Sequence, residues 1–458
     1  MNGERLLSDS RESWTDIRHV APLRKAVHFI RASGNVPDLL MDLDSDMREG
    51  QGEIKVSVSN SSMAEMGAAA EYLLDYPHGC AEQTSSRLLP WLLLEEYRDL
   101  MPRLNLKPDA KKGDAVEHGI NRLLSMQTHT GGLAYWPGAS ADDFASGYAG
   151  MVLAVAKRKG KAVPQAALDR LGKYLVQLVK RPVSGNREWG IHCLALYTLA
   201  LMDRSMPAYH EHAFAARSQM PSDALSLLTA AVAVAGNSED MLGALRKTEG
   251  KSAQSFDYYG NVSQQVAMRL LAMGPGPEAV SLAVRLSQSA REGHWGSTFA
   301  NAWVILAMTC FDQRNTEGGH VEGVVEFAGT QQVVSLNDSK RMTVMHLTNQ
   351  PGPMELRRSD GGTQPIFVRV NASVRSKTDH KTKVSKGMSV ERVYEQVQPD
   401  DAPAGRHTLR VGDLVRVRIK LNVLKDEVRY LALEDGLPAS LEPVFGDLKS
   451  QQTQLNPR

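Results

Sequence analysis

Cysteine is scarce in this sequence. Its three thiols, Cys80, Cys193 and Cys310, are widely spaced and form neither a CxxC pair nor a metal-ligand cluster with histidine. At most one disulfide could form, which excludes a disulfide-stapled scaffold. A surplus of basic charge is also absent. The 53 Lys and Arg residues are balanced by 52 Asp and Glu, for a formal net charge of +1. Nucleic-acid binders usually carry a basic excess, so that class is set aside. No apolar run is long enough to span a bilayer. The opening MNGERLLSDSRESW lacks the apolar core of a signal peptide. Work outside the cytoplasm would need an export signal upstream of this sequence.

What is present is length and pattern. A chain of 458 residues is too long for one core and implies two or three domains. After a polar start, GEIKVSVSN alternates Ile54, Val56 and Val58 against polar residues, which predicts a half-buried strand. From about Ser61 to Asp312 the text is helical. Runs such as EMGAAAEYLLDY, TSSRLLPWLLLEEYRDLM, YAGMVLAVAKRKG and FANAWVILAMTCF place apolar residues at helical spacing, with Gly, Pro or Asn at nearly every join. Ten or more tandem helices predict an array that curves or closes into a ring. Cys193 and Cys310 fall in such runs and read as buried, inert thiols. Beyond Thr316 come VEGVVEFAG, QQVVSLN, MTVMHLTN, PIFVRVNASV, MSVERVYEQV and DLVRVRIKLNV. These alternating runs predict antiparallel β-sandwich structure. KTDHKTKVSKG reads as a polar connector between two β units. The text ends soon after EVRYLAL, before a second sandwich would close. A helical domain inserted into a β domain would bring the flanking β pieces together.

A faint repeat accompanies the helices. MQTHTGGLAYW and LSQSAREGHWGSTFANAW each carry Gln near a helix end, then Gly, then Trp136 or Trp295. The pattern resembles the Gln–Trp corners of alpha/alpha toroids. Tyr135, Trp136, Trp295 and Trp303 read as core filler rather than as a ligand lining.

Chemistry concentrates in YPHGCAEQTSSRLLPWLLL, residues 76–94. Pro77 and Gly79 set a tight turn. Cys80 follows, and a helix is predicted from near Thr84 and Ser85. Residues three apart at such a junction share a face, so Cys80 can touch Gln83. A thiolate beside a carboxamide can displace ammonia and leave a thioester in a small ring. The helix N-terminus is expected to favour the thiolate. The product can acylate a lysine amine, a hydroxyl or water, once.

These residues resemble the thioester region of the alpha-2-macroglobulins and complement proteins, whose core is Cys-x-Glu-Gln. Here it stands as Cys80, Ala81, Glu82, Gln83, preceded by Tyr76-Pro77-His78-Gly79. The longer block through Thr84, Ser86, Arg87 and Pro90 resembles the bacterial branch. GGLAYWPG and WGSTFANAWVILAM are similar to its helical domain. GMSVERVY, VGDLVRVRIKL and LALEDGLPASLEP are similar to its C-terminal β domains. The resemblance implies a mixed α plus β, multidomain fold: an alpha/alpha toroid bearing the thioester, inserted in a CUB-like β domain, then a truncated macroglobulin-like β-sandwich. The expected boundaries are a polar tail over 1–17, CUB-like pieces over 18–59 and 317–385, the toroid over 60–316, and an incomplete sandwich over 386–458.

The implied activity is single-use protease inhibition rather than turnover. A protease cuts an upstream bait segment and is captured through its lysine amines. The expected partners are therefore proteases and upstream macroglobulin domains, with no cofactor, no metal and no nucleic acid. The implied compartment is the periplasm or cell envelope, with any membrane anchor upstream. Cys80 and Gln83 would form the cross-link, Glu82 would tune it or be a solvated carboxylate, and Tyr76 and His78 would shield it. His78 departs from the bacterial pattern, where an aromatic is common, and reads first as a solvated turn residue, while Tyr76 reads equally as a structural ring packed on the turn. Complement-type hydroxyl transfer uses a later histidine. VKRPVSGNRE has none, and His192 falls on a helix face, so direct reaction with amines is expected. Three alternatives stand beside this one. A terpene-cyclase-type toroid enzyme would need an Asp-rich patch, whereas Asp142-Asp143 reads as a helix cap. A cysteine hydrolase pairing Cys80 with His78 lacks an orienting third residue. The third is a scaffold in which the thioester never forms.

Overall fold

The computed structural model describes residues 23–41, 47–101, 110–236, 238–256, 259–291, 293–314, 319–350, 352–362, 365–376, 388–396, 414–423 and short pieces between 431 and 444. It divides into two compact units, residues 1–378 and 379–458.

Twelve helices are described in the first unit. The even-numbered ones are α2 (Ala81–Leu93), α4 (Asp143–Arg158), α6 (Asn186–Leu201), α8 (Ser222–Ala235), α10 (Val262–Ala272) and α12 (Thr298–Arg314). Each packs on the next, and α12 packs back on α2, so the six close a ring. The odd-numbered helices are α1 (Met66–Leu74), α3 (Ala110–Leu124), α5 (Gln165–Val179), α7 (Pro207–Ala215), α9 (Glu239–Lys247) and α11 (Pro277–Ser289). Each packs against one or two even-numbered neighbours. Sequence pattern and position agree. In α12 every residue from Thr298 to Thr309 is buried, as expected of a helix that is apolar on all sides. In α5 a single stripe, Leu168, Leu171, Leu175 and Leu178, is buried.

Two helices, α7 and α9, escape the sequence reading. The first buries only His210 and Ala213, and the second only Leu242 and Leu245, too few positions to mark a period.

The β strands of this unit form two antiparallel sheets. The first runs in the order β1 (Leu23–Ala32), β7 (Ile366–Ser376), β2 (Met47–Ser59), β5 (Met342–Thr348). The second runs β4 (Thr330–Leu336), β3 (Val321–Phe327), β6 (Met354–Arg358). Strands from before the helices therefore pair with strands from after them. Val56, for example, lies opposite Val370 on one side and Met345 on the other. The alternation read in β2 holds: Ile54, Val56 and Val58 are fully buried and share one core with Val325, Val334 and Leu356 of the second sheet. That core is separate from the core of the ring.

The second unit shows one antiparallel hairpin among its described residues, β8 (Met388–Gln396) with β9 (Val415–Val423). Its strands are tied by Arg418–Glu395 at 3.0 Å. The polar tail 1–17, the connector KTDHKTKVSKG and most of EVRYLAL lie outside the described residues.

Candidate functional site

The turn before α2 delivers Cys80 to the helix N-cap. Helix α2 starts at Ala81, three residues earlier than the sequence reading placed it. The reason is a capping box. The Cys80 side chain accepts from the Gln83 backbone N–H, and the Gln83 side chain folds back so that its Oε1 accepts from Cys80 N at 3.2 Å. Two N–H groups that a helix start leaves unpaired are satisfied reciprocally. The same geometry sets the Gln83 carboxamide over the cysteine. Ala81 N–H is taken by the carbonyl of Tyr135 at 3.0 Å, which anchors the turn to the segment leading into α4.

Cys80 is buried and unpaired, as is Cys193. The helix-terminus argument predicts a thiol shifted toward thiolate, and the structure gives the opposite. Burial pushes the Cys80 thiol up from its ordinary value. The amide of Gln83 pulls it back, and the nearby Glu82 carboxylate pushes it up further. These surroundings favour the thiol over the thiolate.

Glu82 is not the solvated carboxylate that its place at a helix start permits; it is 2% exposed. It accepts from Ser86 Oγ at 2.8 Å and from Thr298 Oγ1 at 2.9 and 3.0 Å. Ser86 Oγ also lies 2.9 Å from Tyr148 OH. Burial raises the Glu82 carboxyl, and the two hydroxyl donors partly offset the rise. Sequence reasoning missed Ser86, Tyr148 and Thr298, since Thr298 is 216 positions away along the chain.

Tyr76 and His78 sit together. Tyr76 packs edge-on against His78 (5.6 Å between centroids) and Tyr72 (5.7 Å), and Tyr72 stacks on His294 at 5.3 Å. Tyr76 is half-buried, whereas His78 is exposed, as a turn histidine in solvent would be. Tyr72 and His294 carried no sequence signal.

The corner reading of the aromatics needs one correction. Trp295 and Trp303 are core residues, but Trp136 is 49% exposed. It lies against the guanidinium of Arg122, whose Nη2 donates to the Gly79 carbonyl at 3.3 Å. The exposed indole thus braces the turn before Cys80 instead of filling a core. Nor do the two Gln–Trp corners match. At one, the Gln127 side chain donates to the carbonyls of Gly131 (3.0 Å) and Ala167 (2.9 Å). At the other, the indole of Trp295 donates to Leu286 O at 2.8 Å.

His192 is buried in α6, with Nδ1 3.1 Å from Glu188 O and Nε2 3.0 Å from Arg181 O, so its ring is held structurally. Asp142 caps α4 by accepting from Ala145 N at 2.8 Å. Asp143 accepts from Tyr174 and Arg181. That pair is occupied structurally.

Comparison with known proteins finds similarity to bacterial alpha-2-macroglobulins. A family model for the bacterial alpha-2-macroglobulin MG10 domain matches residues 387–458. The Escherichia coli alpha-2-macroglobulin is 26% identical over 390 residues, covering 80% of this chain and 23% of that protein. The Rickettsia conorii alpha-2-macroglobulin is 22% identical over 452 residues, 94% of this chain and again 23% of the relative. The chain thus spans less than a quarter of the length of these relatives. Among solved structures, native E. coli alpha-2-macroglobulin from domain MG7 to the C-terminus superposes with a TM-score of 0.58 at 22% identity, covering 89% of this chain and 65% of the other. Salmonella alpha-2-macroglobulin reacted with methylamine gives 0.58 at 21% identity, covering 88% and 27%. The fold is thus shared over most of the chain, residues 387–458 match the MG10 domain, and the chain is similar to the C-terminal part of bacterial alpha-2-macroglobulins.

Proposed function

We propose that this chain is the thioester-bearing part of a protease-trapping inhibitor. In this reading the ring of helices is the alpha/alpha toroid of the thioester domain, and the two facing sheets are the CUB-like domain that it interrupts. The hairpin unit belongs to a macroglobulin-like sandwich. The observation that carries the reading is the reciprocal cap between Cys80 and Gln83. Once Sγ loses its proton, it attacks Cδ of Gln83. The C–N bond breaks, Nε2 leaves as ammonia, and an Sγ–Cδ thioester remains. A lysine Nζ of a protease then attacks Cδ, an amide forms, and Cys80 is released as a thiol. Each molecule acts once. Tyr76 and His78 would screen the bond from water.

Burial and Glu82 both oppose a free thiolate, so cross-link formation depends on the close placement that the reciprocal cap provides. Direct transfer to amines is the preferred route. The one histidine near the relevant loop, His192, has both ring nitrogens facing carbonyl oxygens and is poorly placed to act on an acyl group. The whole molecule would act in the periplasm or cell envelope, together with further macroglobulin domains.

The test is the intact mass of promptly purified protein, before and after methylamine, with Cys80 labelling. The expected mass is short by one ammonia, about 17 Da, and methylamine should release one new thiol. Glycerol should react far more slowly than methylamine. A full mass with Cys80 already open to label would overturn the reading.

A further inference from the structure

Glu82 joins three helices that are far apart in sequence. Ser86 donates its only proton to Glu82 at 2.8 Å, so the 2.9 Å contact between Ser86 and Tyr148 must run from the tyrosine hydroxyl to Ser86 Oγ. Burial and the neighbouring Glu82 hold Tyr148 well above its usual value, which keeps that hydroxyl a donor. On the opposite side, Thr298 donates to the same carboxylate. Tyr148 stands on α4, Glu82 and Ser86 on α2, and Thr298 is the first residue of α12. The contact between α12 and α2 is where the last helix of the ring meets the first. The carboxylate therefore lies on the closing seam. It is adjacent to Gln83 and one residue removed from Cys80, in the same first turn.

We propose that Glu82 is a positioning residue for the Cys80–Gln83 site: clasped by Thr298 across the closing seam of the ring, it fixes the first turn of α2, and with it the placement of Cys80 against Gln83, until that seam is disturbed. This inference rests on the reading of Cys80 and Gln83 as the reactive pair. The placement has a physical logic. A buried carboxylate with both oxygens hydrogen-bonded is rigid, because each lost donor leaves charge unsatisfied in a low-dielectric interior. The first turn of α2 cannot then shift without breaking the clasp. The Thr298 hydroxyl sits at the start of α12, so an opening between the two ends of the ring is transmitted directly to the first turn of α2. The fixed negative charge also disfavours a thiolate two residues away.

The experiment uses the full chain and four proteins: wild type, Glu82→Gln, Thr298→Val and Thr298→Ser. Each is treated with methylamine, so that Cys80 is a free thiol whether or not a thioester had formed. The iodoacetamide alkylation rate at Cys80 is then followed by peptide mapping, and circular dichroism and thermal melting check the fold. Thr298→Val keeps the shape but loses the donor. Glu82→Gln loses the charge. Both should alkylate roughly threefold faster or more, the change expected for half a pKa unit in a thiol that reacts as thiolate. Thr298→Ser keeps the hydroxyl and should stay within about twofold of wild type. If Thr298→Val and Glu82→Gln match wild type, or if Thr298→Ser moves as far as Thr298→Val, Glu82 is only a satisfied buried polar group. Should one variant fail to fold, the remaining two and wild type still decide. The mass before methylamine is read on the same samples. A full wild-type mass with altered variant rates would overturn the thioester and leave the clasp. A mass short by ammonia with unaltered rates would do the reverse.

Discussion

Asp223 and Glu82 are enclosed by the helical ring, while Glu65 lies where the ring meets the four-stranded sheet, and the three carboxylates are held very differently. Asp223 accepts from Ala224 N (2.9 Å) and Ser255 Oγ (2.7 Å) on one oxygen and from Ser255 N (2.9 Å) on the other. Both oxygens of Glu82 are likewise bonded. Glu65 is equally buried, but its Oε1 has no partner. Burial pushes its carboxyl up to about 8, against the weaker pull of Ser287 and of the Arg369 guanidinium on β7. Glu65, Ser287, Trp295 and Arg369 also line a cavity of about 210 Å³ at this junction. Around these two carboxylates the ring is thus a closed polar network set in a continuous apolar core, while Gln264 Oε1 and Trp303 Nε1 elsewhere in the ring have no partner. The junction is polar and incompletely packed, and no single core crosses it. An interface of that kind is the weaker joint of the unit.

The contrast can be broken most directly at Glu65. Its folded pKa lies above the ordinary carboxylate value, so the folded state keeps a proton that the unfolded state has lost. Stability should be highest below the ordinary carboxyl value of 4.5 and should fall as pH rises to about 8. Glu65→Gln should remove that slope. The variant should match wild type near pH 4 and exceed it near pH 9, by at most about 5 kcal/mol. Urea melts across pH would read this, and parallel curves for the two proteins would show that the junction holds Glu65 without penalty.

Burial raises the Asp223 carboxyl as well, but its replacement should destabilise where that of Glu65 stabilises. Asp223→Ala strands the Ser255 amide and hydroxyl inside the ring, and should cost about 3 kcal/mol in urea unfolding at pH 7. A loss under about 1 kcal/mol would mean that the segment before α10 is not fastened by this carboxylate, and the difference between ring and junction would shrink.

The sequence reads unevenly across the same two regions, for physical reasons. Long periodic helices such as α4 and α12 are legible because burial repeats along them, and β2 because Ile54, Val56 and Val58 alternate. Strand β6, with only five residues, offers too little pattern to mark itself. The turn of the proposed site is legible because Cys80 and Gln83 are three apart in one local structure. Its supports are not. Thr298 and Tyr148 reach Glu82 only after the ring closes, and neither hydroxyl differs in the text from any other. Trp136 was misread for a related reason: a tryptophan after a Gly-rich corner is usually core, and only the placement of Arg122 shows why this one stays at the surface. The local contact of Cys80 with Gln83 is visible in the sequence, and its tertiary partners are not.

The smallest expected effect is the most discriminating. Glu82→Gln should alter stability by less than about 1 kcal/mol at pH 7, because a carboxamide oxygen can still accept from Ser86 and Thr298 while its NH2 meets a hydroxyl that can turn to accept. The Glu82 carboxyl is also raised, so its contribution to stability too falls with rising pH, and the glutamine variant should flatten that fall. The flattening should be smaller than at Glu65, since Glu82 has donors on both oxygens and Glu65 does not. Equal slopes at the two positions would erase the distinction between ring and junction. A small slope at Glu82 combined with faster alkylation of Cys80 would separate what this residue does for the fold from what it does for the site.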